Sequence, residues 1–264
     1  MELLGLDVGF SATRSSSGIA RSNGAGDLSV AHTTSRWEDR QGIIGSGPVR
    51  VAAIDAPFTT AKPHESRNCE RVFSFGAFQK RCKPGFSHIR GTGRRLRQAG
   101  WETAVQLASL APVGDLQAEF PRVADSNVVE AFPNAFLGVY LDDRVFGRMP
   151  LLKRGGKFDW LYEAWVTTDR LRVLFSGLEL APYERLREAL VANQHHDERA
   201  ALVCLMTAAC VYAGRYTAIG EAHGGYFFMP PLARAGLPGL ATSWTYNGLG
   251  CQAFRSGATA LRIV

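Results

Sequence analysis

The sequence predicts an α/β fold: a mixed β-sheet with helices on both faces. Three short strand candidates follow one another near the N-terminus, and a helical stretch comes after them. Two more apolar strands lie downstream, separated by a long basic insertion, and helical patterns dominate the residues that follow the second one. This alternation of strands and helices favours a mixed sheet that is covered by helices on both sides.

The first three strands are expected at residues 3–8, 18–21 and 28–33. Their connections are rich in Ser, Gly and Asn, which favours an antiparallel meander. Ser35 is then placed to cap a helix that runs toward Gly45.

Two further strands are expected at residues 49–54 and 127–132, and the apolar pattern of the first is typical of a central strand buried on both faces. Each strand is followed by a proline, Pro57 or Pro133, which lacks the N–H that a β-ladder needs. Helices are expected between and after these strands, at 92–110, 134–139, 160–175, 182–193 and 197–213.

The chain has 264 residues, of which 46% are apolar, so it can bury a sizeable core and is neither disordered nor fibrous. We expect one domain at residues 1–214, with a basic insertion at about 58–122. Residues 215–264 are expected to form a C-terminal extension packed on the same domain.

Cysteine usage and the N-terminus predict a cytoplasmic protein without membrane attachment. The five cysteines are an odd number and contain no CxxC pair, which argues against a secreted disulfide framework. The first ten residues, MELLGLDVGF, lack the basic region of a signal peptide. The apolar run at 200–214 is too short to span a bilayer and favours a buried helix instead.

Three acidic residues lie inside or at the end of apolar strands: Asp7, Asp55 and Glu130. A carboxylate in such a setting loses hydration and is retained only with a partner. The carboxyl ends of central strands are also where α/β sheets bind ligands. Acids that converge there repel one another unless a cation lies between them, and Mg²⁺ accepts such oxygen ligands.

Asp197 is a fourth candidate, because it directly precedes the apolar part of the last long helix. It is equally placed to act as the N-cap of that helix. Together the four acids predict a Mg²⁺ or Mn²⁺ site of the two-metal phosphodiester type, in which the ions lie about 4 Å apart. The alternative is that they are scattered structural acids.

The net charge of +6 hides a strong asymmetry along the chain. Residues 62–97 contain ten Lys or Arg and only two acids, whereas the remainder is slightly negative. Such a concentration predicts a nucleic acid or nucleotide phosphate as partner, although basic residues on a solvated face are the alternative. The interleaved phenylalanines fit either base stacking or a core. The residues expected to contact phosphate are Arg67, Arg81, Lys83, Arg90 and Arg94.

The same segment contains His64, Cys69, Cys82 and His88, four residue types that bind zinc. Their spacing lacks the short Cys-x2–4-Cys pair of structural zinc sites, so buried structural cysteines are the favoured interpretation.

Six motifs occur along the chain in this order: GLDVG at 5–9, AIDAP at 53–57, RNCE at 67–70, RCKPGFSH at 81–88, VVEAFP at 128–133 and HDERAALVC at 196–204. Together they resemble the DUF429 family, whose members are predicted nucleases with a ribonuclease H-like fold. The resemblance implies three antiparallel strands, a helix, and then alternating parallel strands. It also implies that acids from strand 1, strand 4 and the final helix hold the metal ions. These acids map onto Asp7, Asp55 and Asp197, with Glu130 as an additional or alternative ligand.

The sequence departs from this family pattern in its last helix. A second Asp is expected one turn after Asp197, but that position is Ala200. Glu198 is displaced about 100° around the helix from Asp197 and does not replace the missing acid. The sequence therefore leaves open whether the site holds one metal ion or two. It also leaves open whether the protein cleaves nucleic acid or only binds it.

Three functions are compatible with these features. The first is a metal-dependent nuclease or phosphodiesterase. The second is a phosphotransferase of the actin-like kinase superfamily, which shares the core and a GxDxG-type first strand, although the second half contains no further GxDxG segment. The third is a non-catalytic nucleic-acid-binding module. The sequence indicates neither the oligomeric state nor a choice between DNA, RNA and a small nucleotide.

Overall fold

The computed structural model describes residues 2–23, 27–58, 67–74, 76–82, 87, 91–111, 127–153, 156–178, 184–221, 224–231, 252–255 and 260–261. The strands are β1 (Leu3–Asp7), β2 (Ser17–Ser22), β3 (Leu28–Thr33), β4 (Val51–Asp55), β5 (Asn127–Ala131), β6 (Thr217–Glu221), β7 (Gly225–Met229), β8 (Gln252–Arg255) and β9 (Ala260–Leu261). The helices are α1 (Trp37–Ile44), α2 (Asn68–Ser74), α3 (Gly76–Cys82), α4 (Thr92–Leu107), α5 (Pro133–Tyr140), α6 (Asp143–Gly147), α7 (Gly156–Val166), α8 (Asp169–Gly177), α9 (Glu184–Ala192) and α10 (His196–Tyr212).

The strands form one mixed sheet in the order β3-β2-β1-β4-β5-β7-β6, which the short strands β8 and β9 continue at one edge. Strands β1, β2 and β3 pair antiparallel, as the turn-rich connections predict. Strands β1, β4, β5 and β7 then pair parallel, and β6 is antiparallel to β7. The predicted α/β class with a mixed sheet is therefore confirmed.

Each face of the sheet packs against its own set of helices. Because side chains alternate along a strand, Leu3 and Val51 face one side, while Leu4 and Ile54 face the other. The first side holds α10 together with α5 and α7, and we call it the α10 face. The second side holds α4 next to β1 and β4, and α2 and α3 next to β6 and β7.

Two glycines let α10 lie with its backbone directly on the sheet. A Cβ atom on Gly5 would come within 2.2 Å of the Ala201 carbonyl oxygen, and one on Gly18 within 1.8 Å of the Asp197 carbonyl oxygen. Both distances are far below van der Waals contact, so no larger residue fits at either position. The contacts hold the first turn of α10 beside the carboxyl end of β1.

Several predicted boundaries differ from the structure. The helix expected at 160–175 is two helices, α7 and α8, and the break lies at Thr167 and Thr168. The hydroxyls of these threonines donate to the carbonyls of Glu163 and Trp165, a local bonding pattern that competes with helix continuation. Helix α1 begins after Arg36, so Ser35 is not its N-cap.

The C-terminal part contributes strands that the sequence patterns left unassigned. Strands β6 and β7 extend the sheet beyond β5, and every residue of β7 is buried. The domain boundary at residue 214 remains a prediction. Within the described part of the chain, no helix combines the length and apolar character needed to cross a membrane.

Candidate active site

Asp7 and Asp55 lie side by side at the carboxyl ends of β1 and β4. The two strands are parallel, and their register pairs Asp7 directly with Asp55. Neighbouring strands are about 4.8 Å apart, so the two acids start from adjacent backbone positions. Each acid lies two residues beyond a strand residue on the α10 face, namely Gly5 in β1 and Ala53 in β4. Both carboxylates are therefore directed to the α10 face and are partly buried there.

Asp197 joins them from the first turn of α10. Its backbone carbonyl touches Gly18, and Gly18 is the partner of Asp7 in the β1–β2 ladder. The N-cap of the helix is His195, which makes no side-chain capping bond, so Asp197 is not the cap. The structure thus brings three of the predicted acids, Asp7, Asp55 and Asp197, to one place.

The electrostatics of this place favour a bound cation. Burial, followed by the negative charges of Asp55 and Asp197, raises the pKa of Asp7 well above its ordinary value. Burial raises the pKa of Asp55 to about 7, and the charge of Glu130 adds to the effect. The positive N-terminal end of α10 offsets only part of this charge.

Arg40 of α1 is a buried cation beside these acids that sequence reasoning missed. Its guanidinium donates to the Gly9 carbonyl at 2.8 Å, to Ser17 Oγ at 2.8 Å and to Thr103 Oγ1 at 2.9 Å. Burial lowers the pKa of Arg40 to about 10, and the charge of Asp7 opposes that shift. Arg40 fixes the loop that follows β1. No local pattern distinguishes it from the other arginines of the sequence.

Glu130 lies on the opposite face of the sheet. The β4–β5 register pairs it with Ile54, the residue before Asp55, so the side chains of Asp55 and Glu130 leave the sheet in opposite directions. Arg67 donates to both carboxylate oxygens of Glu130, at 2.7 and 2.6 Å. Burial raises the pKa of Glu130 to about 7, and Arg67 opposes this shift.

The arginines expected to bind phosphate fall into two groups. Arg67 and Arg81 are buried, and their guanidinium groups are used by protein acceptors. Arg81 donates through Nε to the Gly138 carbonyl at 2.7 Å, and through its other nitrogens to Asp143 and the Leu141 carbonyl. Arg94, by contrast, is exposed near the start of α4. Lys83 and Arg90 lie outside the described residues.

The described phenylalanines and cysteines of the basic segment belong to the core. Phe73 and Phe78 are buried in the cluster between α2, α3 and β7, so they are core residues and not a surface for base stacking. Cys69 and Cys82 are free thiols buried in the same cluster, as the structural interpretation predicts. His64 and His88, the other two residues of the possible zinc set, lie outside the described residues.

The donor atoms of the three acids suit a hard divalent cation. Mg²⁺ binds through one or two carboxylates and keeps several water ligands, so it does not need a complete protein cage. The acids are neighbours but not a closed cage. Within the described residues, His32, His195 and Glu198 are the one set of three potential ligands whose donor atoms all lie within 4.8 Å of one another.

Ala200, the position that departs from the family pattern, is buried against the core of the α10 face. Glu198 points away from the acids, because its carboxylate bonds to His32 and Asn193.

Comparison of the chain with protein-family models, with curated proteins and with solved structures found no match.

Proposed function

We propose that the protein is a divalent-metal-dependent nuclease or phosphodiesterase with a ribonuclease H-like core, as the resemblance to the DUF429 family implies. One observation carries the proposal: Asp7, Asp55 and Asp197 meet at the carboxyl ends of β1 and β4 and the first turn of α10. The strand order β3-β2-β1-β4-β5, antiparallel first and parallel afterwards, supports the same core.

In this proposal Asp7 and Asp55 hold Mg²⁺ or Mn²⁺, and Asp197 completes the set from α10. Such an ion offsets the charge that develops on a phosphodiester during its cleavage. Glu130 is left out of the set, because Arg67 occupies its carboxylate on the other face. Arg40 limits the repulsion around Asp7 and keeps the neighbouring loop in place.

Helix α4 is the proposed contact for the polyanionic part of the substrate. Helix α4 lies on the face of the sheet opposite the acids, but it packs against the residues that directly follow Asp55, because a Cβ on Gly100 would lie 2.3 Å from the Pro57 carbonyl oxygen. Arg94 is six residues from Gly100, which is about 9 Å along a helix. Arg94 and Arg95 are both exposed there, where they attract phosphate groups.

Phe10, which follows Asp7 by three residues in the chain, is an exposed aromatic residue that sequence reasoning missed. Its side chain is 44% exposed, although it belongs to a loop held by Arg40 through Gly9. An exposed aromatic ring next to a phosphodiester site offers a stacking surface for a base, whatever its identity.

Incubation of the purified protein with single- and double-stranded DNA and RNA, each with Mg²⁺ or Mn²⁺, tests the proposal. We expect cleavage that EDTA abolishes and that Asp7→Asn and Asp55→Asn each reduce at least about 100-fold, as expected for metal ligands. Asp169→Asn, which changes an acid that is 83% exposed on α8, is the matched control and should retain activity. An unchanged rate in Asp7→Asn would reject the proposal.

A non-catalytic nucleic-acid-binding module is the second candidate, and Ala200 favours it. A buried methyl group stands where the resemblance predicts a fourth acid. This candidate predicts salt-sensitive binding of nucleic acid that persists in EDTA without turnover. Cleavage in the experiment above would exclude it.

A further inference from the structure

We propose that His32, His195 and Glu198 form a second metal site, which takes a borderline transition-metal ion such as Zn²⁺. His32 comes from β3, His195 from the N-cap of α10, and Glu198 from the first turn of that helix. The donor atoms of the three side chains all lie within 4.8 Å of one another. His32 Nδ1 is 2.6 Å from Glu198 Oε1, and the two imidazole rings stack with their centroids 3.7 Å apart.

The site is separate from the acid pair. His32 faces Gly18 in the β2–β3 ladder, and Gly18 faces Asp7 in the β1–β2 ladder. His32 and Asp7 are thus two strands apart, or about 10 Å between backbones. An ion held by His32 is therefore too far away to share the Asp7 carboxylate directly.

The ligand types determine which ions the site prefers. Two imidazoles and one carboxylate form a common zinc ligand set, with metal–ligand distances of about 2.0–2.2 Å and a fourth position left for water or substrate. Imidazole suits Zn²⁺, Cu²⁺ and Ni²⁺, whereas Mg²⁺ prefers oxygen ligands alone. The proposed site therefore differs from the acid pair in the metal it selects.

Asn193 already supports two of the three ligands, through the Glu198 carboxylate and the backbone of His195. Asn193 Nδ2 donates to Glu198 Oε2 at 2.6 Å, which leaves Oε1 directed to His32. Asn193 Oδ1 accepts from the His195 backbone N–H at 2.9 Å and fixes the start of α10. Such supporting bonds are typical of the residues around metal ligands.

His195 Nδ1 is buried and has no hydrogen-bond partner among the described residues. Leaving a buried polar atom unpaired costs free energy, and coordination of an ion would remove that cost. His32 is 39% exposed, so an ion has access from solvent. Binding requires the stacked rings to rotate until their nitrogen lone pairs converge, and the proton between His32 Nδ1 and Glu198 Oε1 is released to solvent as the ion takes its place.

Titration of the full-length protein with Co²⁺, followed by visible absorption, and competition with Zn²⁺ test the proposal. We expect one Zn²⁺ per chain, and at least about 10-fold weaker binding in His32→Ala and in Glu198→Gln. The matched control is His196→Ala, which changes an exposed histidine in the same turn that is bonded to Asp159. Far-UV circular dichroism confirms that each variant is folded, and His32→Gln replaces His32→Ala if the latter does not fold.

Equal Zn²⁺ affinity in the wild type and in both ligand variants would overturn the proposal and leave a hydrogen-bonded cluster with no metal role. An equal loss in His196→Ala would overturn it as well. Asp7→Asn should keep the Zn²⁺ affinity of the wild type, because Asp7 belongs to the other site. The result is thus independent of whether the protein cleaves nucleic acid.

Discussion

Arg67 holds Glu130 through two parallel hydrogen bonds, from Nη1 to Oε1 at 2.7 Å and from Nη2 to Oε2 at 2.6 Å. Both side chains are at most 3% exposed. Arg67 also donates from Nε to the Gly224 carbonyl at 2.7 Å. The pair therefore connects the start of α2 with β5 and with the turn before β7. Removal of one partner from such a buried pair leaves a charge without compensation.

We expect Arg67→Met to reduce the free energy of unfolding by about 3–5 kcal/mol, because it strands the Glu130 carboxylate. Urea denaturation at pH 8 measures the change. The double variant Arg67→Met with Glu130→Gln should recover a large part of the loss. A loss below about 1 kcal/mol in the single variant would show that the pair does not hold these elements together.

The stability of the protein should fall as pH rises from the acidic range to neutrality. Folding raises the pKa of Asp55 from 3.8 to about 7, so the folded state binds more protons than the unfolded state between these values. The free energy of unfolding therefore decreases as pH rises from about 4 to about 7. Asp7 and Glu130 shift in the same direction.

Asp55→Asn removes one of the buried carboxylates whose ionisation destabilises the folded state. We expect the variant to be more stable than the wild type by about 1–3 kcal/mol at pH 8 in EDTA, and to differ little at pH 4. Thermal unfolding at both pH values measures the difference. Mg²⁺ should narrow the gap at pH 8, because it stabilises only the protein that retains the carboxylate. The same difference at both pH values would contradict the expectation.

Gly18→Ala tests the contact that holds the first turn of α10. The new Cβ would lie 1.8 Å from the Asp197 carbonyl oxygen, so the helix must move away from β2. We expect a loss of at least about 2 kcal/mol in stability, together with the loss of metal-dependent cleavage. Gly42→Ala is the control: nothing lies within 4 Å of its Cβ, and alanine favours the helix that contains it. Equal stability in the two variants would refute the close contact.

Phe10→Ala should weaken binding of single-stranded nucleic acid by about 1–3 kcal/mol, if a base stacks on the ring. Fluorescence anisotropy with labelled oligonucleotides in Ca²⁺ measures the affinity without cleavage. The control is Leu151→Ala, which shortens an exposed apolar side chain in a different segment of the chain. Unchanged affinity in Phe10→Ala would remove this residue from the substrate contact.

The strands that position the site were predictable, because apolar runs ended by turns or prolines indicate them directly. The antiparallel meander and the two central parallel strands follow from such runs, and Asp7 and Asp55 are the last residues of theirs. Their convergence then follows from parallel pairing alone. Glu130 is one residue short of the end of its strand. Residues one position apart in a strand face opposite sides of the sheet. The position of Glu130 within its strand therefore already indicated that its side chain leaves the sheet on the other face.

The partners of the buried arginines were not predictable. Arg67 and Arg81 resemble the exposed Arg94 in local sequence, since all three lie in the same basic segment. Their burial depends on acceptors that lie 57 to 157 residues away in the chain. His32 and Glu198 are 166 residues apart and meet only because α10 packs across β3.

Helix α10 determines how the proposed active site can respond to a substrate. All of its residues from Arg199 to Val211 are buried between the sheet and other helices, and Asp197 stands at the start of that inner layer. Displacement of Asp197 would require the core to repack, so the acids form a preorganised centre. Adaptation to substrates of different shape then falls to elements outside this layer, such as the exposed basic start of α4.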